Sequence, residues 1–527
     1  MSIENPLQDA RPLEAQIGQM LLAGFEGLEP PDYILDWIRS GQIGGAILFA
    51  RNIETPEQLA RLTRTLHEAA HEVGRPPLLI GIDQEGGTVA RLREGFTESP
   101  GALALGVADD PSLAEEISAM LAREMRALGI NWVYAPVVDL THDIANPTVG
   151  TRSPGADPQK VSRLIIAEVR GFQGEGVAAS AKHFPGLGNT PVDTHVELAV
   201  ISGSVDYLWD GDLVPFRAAV EAGVASVMVS HVKFEALDPE HPATLSPVIV
   251  PRLLREEIGY TGVVCTDSME MKAISNHYGA GESAVLAALA EIDLLLFSHY
   301  RNDQQSAYDA LLEAAHSGRL PQSLIDAANA RIAALKEDYA LTEPPDTSII
   351  RNSVHLALAQ RAARAGTVLL ANDGSFPLQT DAMNVVLVEF GSYLDSEAME
   401  RGDLANFARL VYDRAPGIEC ISLRAYEPKP DLLAHAQEHA ASADLLVLAT
   451  RSAHLMPEQA EMARDLLNRA KRSILLCLRN PYDAGILTGA NAVFCACGDS
   501  TPSLQATVDA LFGDFTPTGK LPVPVAL

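Results

Sequence analysis

The sequence predicts an α/β protein, with a (β/α)8 TIM-type barrel followed by a smaller α/β sandwich domain. Over the first 340 or so residues, short β-branched apolar runs alternate with longer helical patterns, which indicates a parallel sheet. A polar, proline-bearing stretch at 341–353 interrupts this alternation. A second set of apolar runs follows it, and a chain of 527 residues is long enough for two domains.

Seven candidate strands in the first part favour a barrel, with one strand missed or irregular, over an open doubly wound sheet. The candidate strands are 43–49, 77–83, 131–139, 177–184, 224–231, 262–268 and 293–297. No GxGxxG motif follows the first of them, which weakens the dinucleotide-binding alternative.

A helix is predicted between the first two of these strands. Thr55-Pro56 is a helix start signal and Gly74 marks the expected end. One apolar face of this helix is expected to contain Leu59, Leu62, Leu66 and Val73.

The domain organisation follows from these patterns. We predict a barrel over 1–342, a linker over 343–352 and an α/β sandwich over 353–527. The second domain is predicted to begin with a helix over 355–370. Its strands are expected near 384–390, 444–449, 473–478 and 492–497.

Composition restricts the possible partners. The 69 acidic residues outnumber the 39 basic ones, and a formal charge of −30 would repel nucleic acids and anionic lipid surfaces. We therefore expect neither nucleic acid nor membrane as a partner, while the oligomeric state stays open. The N-terminus lacks a basic region followed by an apolar one, so we expect a cytoplasmic protein. The five cysteines lie in apolar stretches, which is typical of buried reduced thiols.

The stretch AKHFPGLGNTPVDTH at 181–195 concentrates ionisable side chains in a Gly/Pro-rich loop after a candidate strand. They are Lys182, His183, Asp193 and His195. Such loops line the active-site face of a barrel, and a carboxylate two residues before a histidine can hydrogen-bond its imidazole. The alternative is a solvated loop with incidental charges.

Two further carboxylates lie where candidate strands end. Asp267 follows the apolar run of GVVCTDS, so its side chain is expected in a pocket, although it could also cap the start of a helix. Asp83 ends the strand 77–83, and Arg91 lies beyond the turn at 86–87. Asp83 could hold sugar hydroxyls or could be an ordinary turn residue.

Together these stretches resemble glycoside hydrolase family 3, in particular its β-N-acetylglucosaminidase branch. The branch marker K-H-F-P-G-x-G-x-x-x-x-D-[ST]-H is present at 182–195. The resemblance extends over nearly the whole chain, through 18–27, IDQEGGTVARL, 131–140, 146–155, 362–378, 479–483 and 517–523. Departures from the family pattern are Leu187, Asn189, Ala199-Val200 in place of Leu-Pro, and Glu291 in place of glycine.

The resemblance implies a retaining exo-β-N-acetylglucosaminidase that acts on a small-molecule carbohydrate. No motif suggests a metal or an organic cofactor. It implies that Asp267 is the nucleophile and that His195, assisted by Asp193, is the acid/base. The residues that it implies for sugar binding are Asp83, Arg91, Arg152, Lys182 and His183. The implied substrates are muropeptides of peptidoglycan turnover or chito-oligosaccharides.

Three other functions stay open at this stage. A neutral histidine as acid/base could admit phosphate as the acceptor, which would make the protein a phosphorylase. Family β-glucosidases typically carry Asp-Trp at the nucleophile, whereas Asp267 precedes Ser268 here. An inactive sugar-binding protein on the same scaffold is the third alternative.

Overall fold

Eight parallel strands close into a barrel in the part of the chain that the computed structural model describes, which is residues 11–190, 192–193, 195–341, 345–379, 383–391 and 407–526. The strands are β1 (Leu21–Ala23), β2 (Gly45–Leu48), β3 (Leu79–Ile82), β4 (Trp132–Val133), β5 (Ala178–Phe184), β6 (Ser226–Val229), β7 (Val263–Ser268) and β8 (Leu294–Phe297). Each strand pairs with its neighbour in the sequence, and β8 closes the barrel on β1. The predicted barrel is therefore confirmed.

Helices surround the barrel. They are α1 (Leu13–Gln19), α2 (Asp32–Ser40), α3 (Pro56–His71), α4 (Ala102–Ala108), α5 (Pro111–Ala127), α6 (Pro158–Gly174), α7 (Val205–Asp210), α8 (Leu213–Glu221), α9 (Lys272–Ser275), α10 (Ala280–Leu289), α11 (Arg301–His316) and α12 (Gln322–Asp338), with a π-helix at Ile249–Glu257. Short 3-10 turns lie at Ala50–Asn52, Gly150–Arg152 and Ala243–Leu245, and two-stranded pairs form between Gln84–Gly86 and Val89–Ala90 and between Val200–Ile201 and Lys233–Phe234.

The predicted strands and the barrel differ in two places. The strand β1 was not predicted because it has only three residues, all of them buried. Of the candidate strand 131–139, only the two residues of β4 are regular strand. Beyond Val133 the chain stays beside β5, but it pairs there only through an isolated bridge between Val137 and Lys182. The remaining candidates each contain the observed strand.

The helix α3 shows where the apolar pattern was right and where it was wrong. The Thr55 side chain accepts a hydrogen bond from the backbone N–H of Gln58, as expected of an N-cap. Three of the four predicted apolar residues, Leu59, Leu62 and Leu66, are buried. Val73 is wrong: α3 ends at His71, so Val73 lies beyond the helix and is 49% exposed.

The second domain contains a six-stranded sheet within the described residues. Its strands are β9 (Val368–Asn372), β10 (Val385–Phe390), β11 (Glu419–Leu423), β12 (Leu445–Thr450), β13 (Ser473–Cys477) and β14 (Ala492–Cys495), in the order β9-β14-β13-β12-β10-β11. β9 is antiparallel to β14, and the other pairs are parallel. The helices are α13 (Ser353–Ala365), α14 (Phe407–Arg414), α15 (Pro430–Ser442), α16 (Pro457–Arg469), α17 (Asp483–Ile486) and α18 (Thr501–Leu511), with 3-10 turns at Thr347–Ile349 and Ala453–Leu455.

Two predictions for this domain need correction. The helix expected over 355–370 ends at Ala365, and the residues after Gly366 form the strand β9 instead. Glycine at a helix end and β-branched residues after it explain the change. β11, at the edge of the sheet, was missed because it is short and lacks a continuous apolar run, with only Ile421 and Leu423 fully buried.

The segment predicted as a linker packs on the barrel. The backbone N–H of Asp346 donates to the Ala127 carbonyl, and that of Arg351 donates to the Glu124 carboxylate. The His355 Nδ1 atom lies 2.7 Å from the same carboxylate. The boundaries at 342/343 and 352/353 stay predictions, and residues 342–344 lie outside the described part.

Two smaller expectations can be compared with the structure. Cys265, Cys477, Cys495 and Cys497 are buried free thiols as predicted, whereas Cys420 is only half-buried. Glu291, which replaces the glycine of the family pattern, has a φ of +62°, a conformation that glycine adopts without strain. Among the described residues, no helix is both long and apolar enough to cross a membrane.

Candidate active site

The predicted site residues meet at the carboxyl ends of the barrel strands. Asp83 follows β3, Lys182 and His183 lie near the end of β5, and Asp267 is the penultimate residue of β7. Parallel strands place these ends at one face of a barrel. A cavity of about 360 Å³ opens there, and its wall includes seven of the eight predicted site residues. These are Asp83, Arg91, Arg152, Lys182, His183, His195 and Asp267.

Lys182 and His183 belong to the candidate strand 177–184 and not to the Gly/Pro-rich loop to which they were also assigned. They lie within β5, which spans Ala178–Phe184 and is buried throughout. The strand therefore holds both side chains, and only the residues after Phe184 form the Gly/Pro-rich loop. Residues 191 and 194 of that loop lie outside the described part.

A network of buried charges forms one wall of the cavity. The Lys182 Nζ atom lies 2.7 Å from Asp83 Oδ1 and 2.6 Å from Glu85 Oε1. Arg152 donates two parallel hydrogen bonds of 2.8 Å to the two oxygens of Glu85. Arg91 reaches the other oxygen of Asp83 at 3.3 Å. Three cations and two carboxylates are thus interlocked, with Glu85 bonded to both Lys182 and Arg152.

The network keeps its members charged despite their burial. Burial alone would raise the pKa of the Glu85 carboxyl, but the charges and hydrogen bonds of Arg152 and Lys182 outweigh it and lower that pKa to about 2. Burial also raises the pKa of the Asp83 carboxyl, but the charges of Lys182 and Arg91 outweigh this effect, so that the pKa is lowered overall. Burial lowers the pKa of the Lys182 ammonium, but the carboxylates of Asp83 and Glu85 outweigh this effect, so that the pKa is raised overall. The wall therefore presents fixed, fully ionised groups to a ligand.

The carboxylate of Asp139 holds the His183 side chain in place. Asp139 Oδ2 lies 2.7 Å from His183 Nδ1, and the same carboxylate accepts the backbone N–H groups of His183 and Leu187. Arg152 Nη2 lies 3.3 Å from the other ring nitrogen. The imidazole is held between Asp139 and Arg152, so its orientation in the cavity wall is determined on both sides.

Asp267 occupies a strand end and does not cap a helix. It lies within β7, while the next helix, α9, begins at Lys272 and has Met271 at its N-cap position. The alternative of a capping role is therefore wrong. Burial raises the pKa of Asp267, but the neighbouring histidines, first His183, and Lys182 lower it by more. The carboxylate is consequently ionised and faces the cavity.

His195 and Asp193 form a hydrogen-bonded pair. Asp193 Oδ1 lies 2.7 Å from His195 Nδ1 and accepts the His195 backbone N–H at 2.9 Å. Because the carboxylate can only accept, Nδ1 carries a proton and Nε2 is left for chemistry in the cavity. The side chains are 21% and 11% exposed, more than those of Lys182 and Glu85 in the charged wall. The His195 carbonyl accepts the Lys272 N–H at 3.4 Å, which joins this loop to α9.

Several residues of the site were not singled out from the sequence. Glu85 and Asp139 both lie inside stretches that carried the family resemblance, so those stretches were the available signal. Glu270 accepts the backbone N–H groups of residues 298, 299 and 300 and so positions the loop after β8 at the cavity mouth. Burial raises the pKa of the Glu270 carboxyl. Burial and the nearby charges of Arg51 and Arg91 lower the pKa of His299 to about 4.

Three buried hydroxyls in the cavity wall have no hydrogen-bond partner among the described residues. They belong to Tyr134, Ser268 and Ser298. Tyr134 approaches the barrel so closely that a Cβ at Gly81 would lie 2.2 Å from its hydroxyl, so this position requires glycine. A polar ligand would satisfy these groups, whose burial without partners costs free energy.

Comparisons with known proteins place the chain among glycosidases. Residues 12–335 match the Glycosyl hydrolase family 3 N terminal domain. Beta-hexosaminidase A of Pseudoalteromonas piscicida is 31% identical over 82% of this chain and 74% of its own length. The Beta-hexosaminidase of Stenotrophomonas maltophilia (strain R551-3) is 40% identical over 53% of this chain and 83% of its own.

A solved structure extends the likeness to both domains. The glycoside hydrolase family 3 β-N-acetylglucosaminidase from Paenibacillus sp. str. FPU-7 superposes with a TM-score of 0.92 at 36% identity, and the match covers 98% of this chain and 99% of that one.

The barrel, the polar cavity at its strand ends and the similarity to known glycosidases define an enzyme of the glycosidase class. Within that class, the chain belongs to glycoside hydrolase family 3.

The role of Glu85 as the centre of the charged wall can be tested with Glu85→Gln. This change keeps the shape but removes the charge that compensates two buried cations, so we expect Arg152 and Lys182 to shift. The loss of kcat/KM is expected to be on the order of 10²-fold on an aryl glycoside substrate. Glu94→Gln, an exposed position of the same segment, serves as the matched control and should stay within about twofold of wild type. Equal activity of the two variants would show that the wall does not depend on Glu85.

Proposed function

We propose that the protein is a retaining exo-β-N-acetylglucosaminidase, which removes terminal β-linked N-acetylglucosamine by way of a covalent glycosyl-Asp267 intermediate. The observation that carries the proposal is that an ionised carboxylate, Asp267, and a carboxylate-paired histidine, His195, line one cavity. Retaining hydrolysis needs a nucleophile and a separate proton donor in that arrangement. The names of the similar β-hexosaminidases and β-N-acetylglucosaminidase support the choice of sugar.

In the first step, Asp267 attacks the anomeric carbon while the bond to the leaving oxygen breaks. Its carboxylate is suited to this role because its pKa lies below the ordinary value, so it is ionised at neutral pH. The proton on His195 Nε2 passes to the leaving oxygen. Asp193, hydrogen-bonded to Nδ1, stabilises the imidazolium form that donates this proton.

In the second step, the neutral His195 removes a proton from water, and the water oxygen bonds to the anomeric carbon as the Asp267 ester bond breaks. Both residues then return to their starting states. The configuration at the anomeric carbon is inverted twice and therefore retained. No further group has to gain or lose a proton.

The charged wall binds the sugar in this proposal. Lys182, Arg152 and Arg91 donate to hydroxyls or to the N-acetyl carbonyl, while Asp83 accepts from hydroxyls and His183 completes the contact surface. Every residue identified in the cavity wall lies between 47 and 300, so these contacts come from the barrel. A cavity of about 360 Å³ suits a single terminal sugar, which supports an exo mode of action.

Muropeptides of peptidoglycan turnover, met in the cytoplasm, are the natural substrates that we propose, with chito-oligosaccharides as the next candidates. Both carry a non-reducing N-acetylglucosamine, which is the only part that the proposed cavity must recognise. The group on the far side of the scissile bond would lie at the mouth, near His299 and Tyr300.

The choice of sugar can be tested with nitrophenyl β-glycosides of N-acetylglucosamine and glucose in phosphate-free buffer and in phosphate. We expect kcat/KM for the N-acetylglucosaminide to exceed that for the glucoside by at least about 10²-fold, because a site that hydrogen-bonds the acetamido group leaves polar groups unpaired with glucose. The product should be free sugar in both buffers. Preference for the glucoside, or release of sugar 1-phosphate, would contradict the proposal.

The acid/base role of His195 can be tested with leaving groups of different acidity. Dinitrophenolate departs without a proton, whereas a sugar alcohol requires one, so His195→Ala should lose far more activity on a disaccharide than on the dinitrophenyl glycoside. We expect the ratio of the two rates to change by about 10²–10⁴-fold. His241→Ala is the matched control, because His241 also pairs with an aspartate, Asp238, but does not line the cavity. Equal losses on both substrates for His195→Ala would remove His195 from the proton transfer.

A further inference from the structure

Outside the active site, three side chains of types that bind metals lie close together at the edge of the second domain. Glu419 begins β11, the edge strand of the six-stranded sheet, and His435 and His439 lie on α15. Their potential ligand atoms all lie within 4.8 Å of one another. The proposed glycosidase reaction uses none of these residues, and their side chains are 27–45% exposed.

Regular secondary structure places the three side chains together. Residues four apart on a helix lie on the same face, so His435 and His439 are neighbours, with ring centroids 4.0 Å apart. Glu419 lies two residues before the buried Ile421 and therefore on the same face of the sheet, the face against which α15 packs the buried Ala436. The arrangement is therefore built on a strand and a helix rather than on loops.

Both histidines direct the same ring nitrogen at this one carboxylate. His435 Nε2 lies 2.9 Å from Glu419 Oε1, and His439 Nε2 lies 3.2 Å from Glu419 Oε2. His439 Nδ1 lies 2.9 Å from the His435 carbonyl, which can only accept, so Nδ1 carries the proton. This is the hydrogen bond that metal-binding histidines commonly make with their second nitrogen, and it leaves the Nε2 lone pair free.

A lone pair on Nε2 facing a carboxylate oxygen requires a cation between or upon them. A proton can serve at His435, whose neutral ring can carry it on Nε2, but the His439 ring already carries its proton on Nδ1 and presents a lone pair to Glu419 unless it is doubly protonated. One divalent ion would accept the Nε2 lone pair of each histidine and the charge of the carboxylate together.

We propose that Glu419, His435 and His439 form a binding site for a divalent transition-metal ion such as Zn²⁺. Two imidazoles and one carboxylate are ligands that zinc prefers, whereas Mg²⁺ and Ca²⁺ take oxygen ligands. With metal–ligand bonds of about 2.0–2.2 Å, tetrahedral ligand atoms lie roughly 3.3 Å apart, so the side chains need only small movements. Water would complete the coordination.

The expected consequence is structural. An edge strand has one unpaired side, and a metal ion held jointly by β11 and α15 would fasten that strand to the body of the domain. A ligand that binds only the folded state raises the stability of that state. The metal is therefore expected to raise the unfolding temperature of the protein and to leave glycoside hydrolysis unchanged.

The proposal can be tested by isothermal titration of the full-length, EDTA-treated protein with Zn²⁺. We expect saturable binding with a Kd tighter than about 100 µM, and the number of Zn²⁺ ions bound per chain should fall by one in His435→Gln and in His439→Gln. His316→Gln, which changes an exposed histidine on α11, should bind as wild type does. Counting the ions by difference separates this site from any zinc bound among the histidines of the active site.

Thermal unfolding provides the second readout. Zn²⁺ should raise the Tm of wild type and of His316→Gln more than it raises the Tm of His435→Gln or His439→Gln. An unchanged stoichiometry in both cluster variants, or an equal Zn²⁺-dependent rise in Tm for all four proteins, would overturn the proposal.

Discussion

The polar wall of the cavity depends on one carboxylate, Glu85, held between Lys182 and Arg152. Both cations have side chains less than 5% exposed, and a buried charge without a partner would destabilise the fold by several kcal/mol, about 3–5 for a broken pair. Glu85 follows β3, Lys182 lies in β5, and Arg152 comes from the segment before α6. The ion network therefore joins three separate parts of the barrel face, and it does so with groups that a sugar hydroxyl can also contact.

Strands and loops contribute differently to this site. The proposed sugar contacts and the proposed nucleophile, Asp267, lie in strands or in the network attached to them. The proposed acid/base, His195, lies instead in a loop, where Asp193 holds its ring and α9 contacts its backbone. The positive charges around Asp267 keep that carboxylate ionised, whereas the Asp193 carboxylate accepts a hydrogen bond from His195 Nδ1 and so leaves Nε2 for proton transfer. These different environments suit the two proposed roles, one as nucleophile and one as proton donor.

Much of the fold and family could be predicted from the sequence, because strand–helix alternation and the long motif at 182–195 are local patterns. The errors arise where local pattern and tertiary contact disagree. The three-residue β1 is a strand only because its neighbours β2 and β8 pair with it. The helix predicted over 355–370 stops early because its last residues pair with β14. Glu85 and Asp139 were missed because their importance comes from partners 44 to 97 positions away in the sequence.

The most direct test of this account is to locate the sugar on the stalled enzyme. His195→Ala incubated with the dinitrophenyl β-glycoside of N-acetylglucosamine should form the intermediate readily but hydrolyse it slowly, because water activation is lost. Digestion and mass spectrometry should then find one N-acetylglucosamine residue esterified to Asp267. A sugar attached to another carboxylate, such as Asp83, Glu85 or Asp193, would contradict the account.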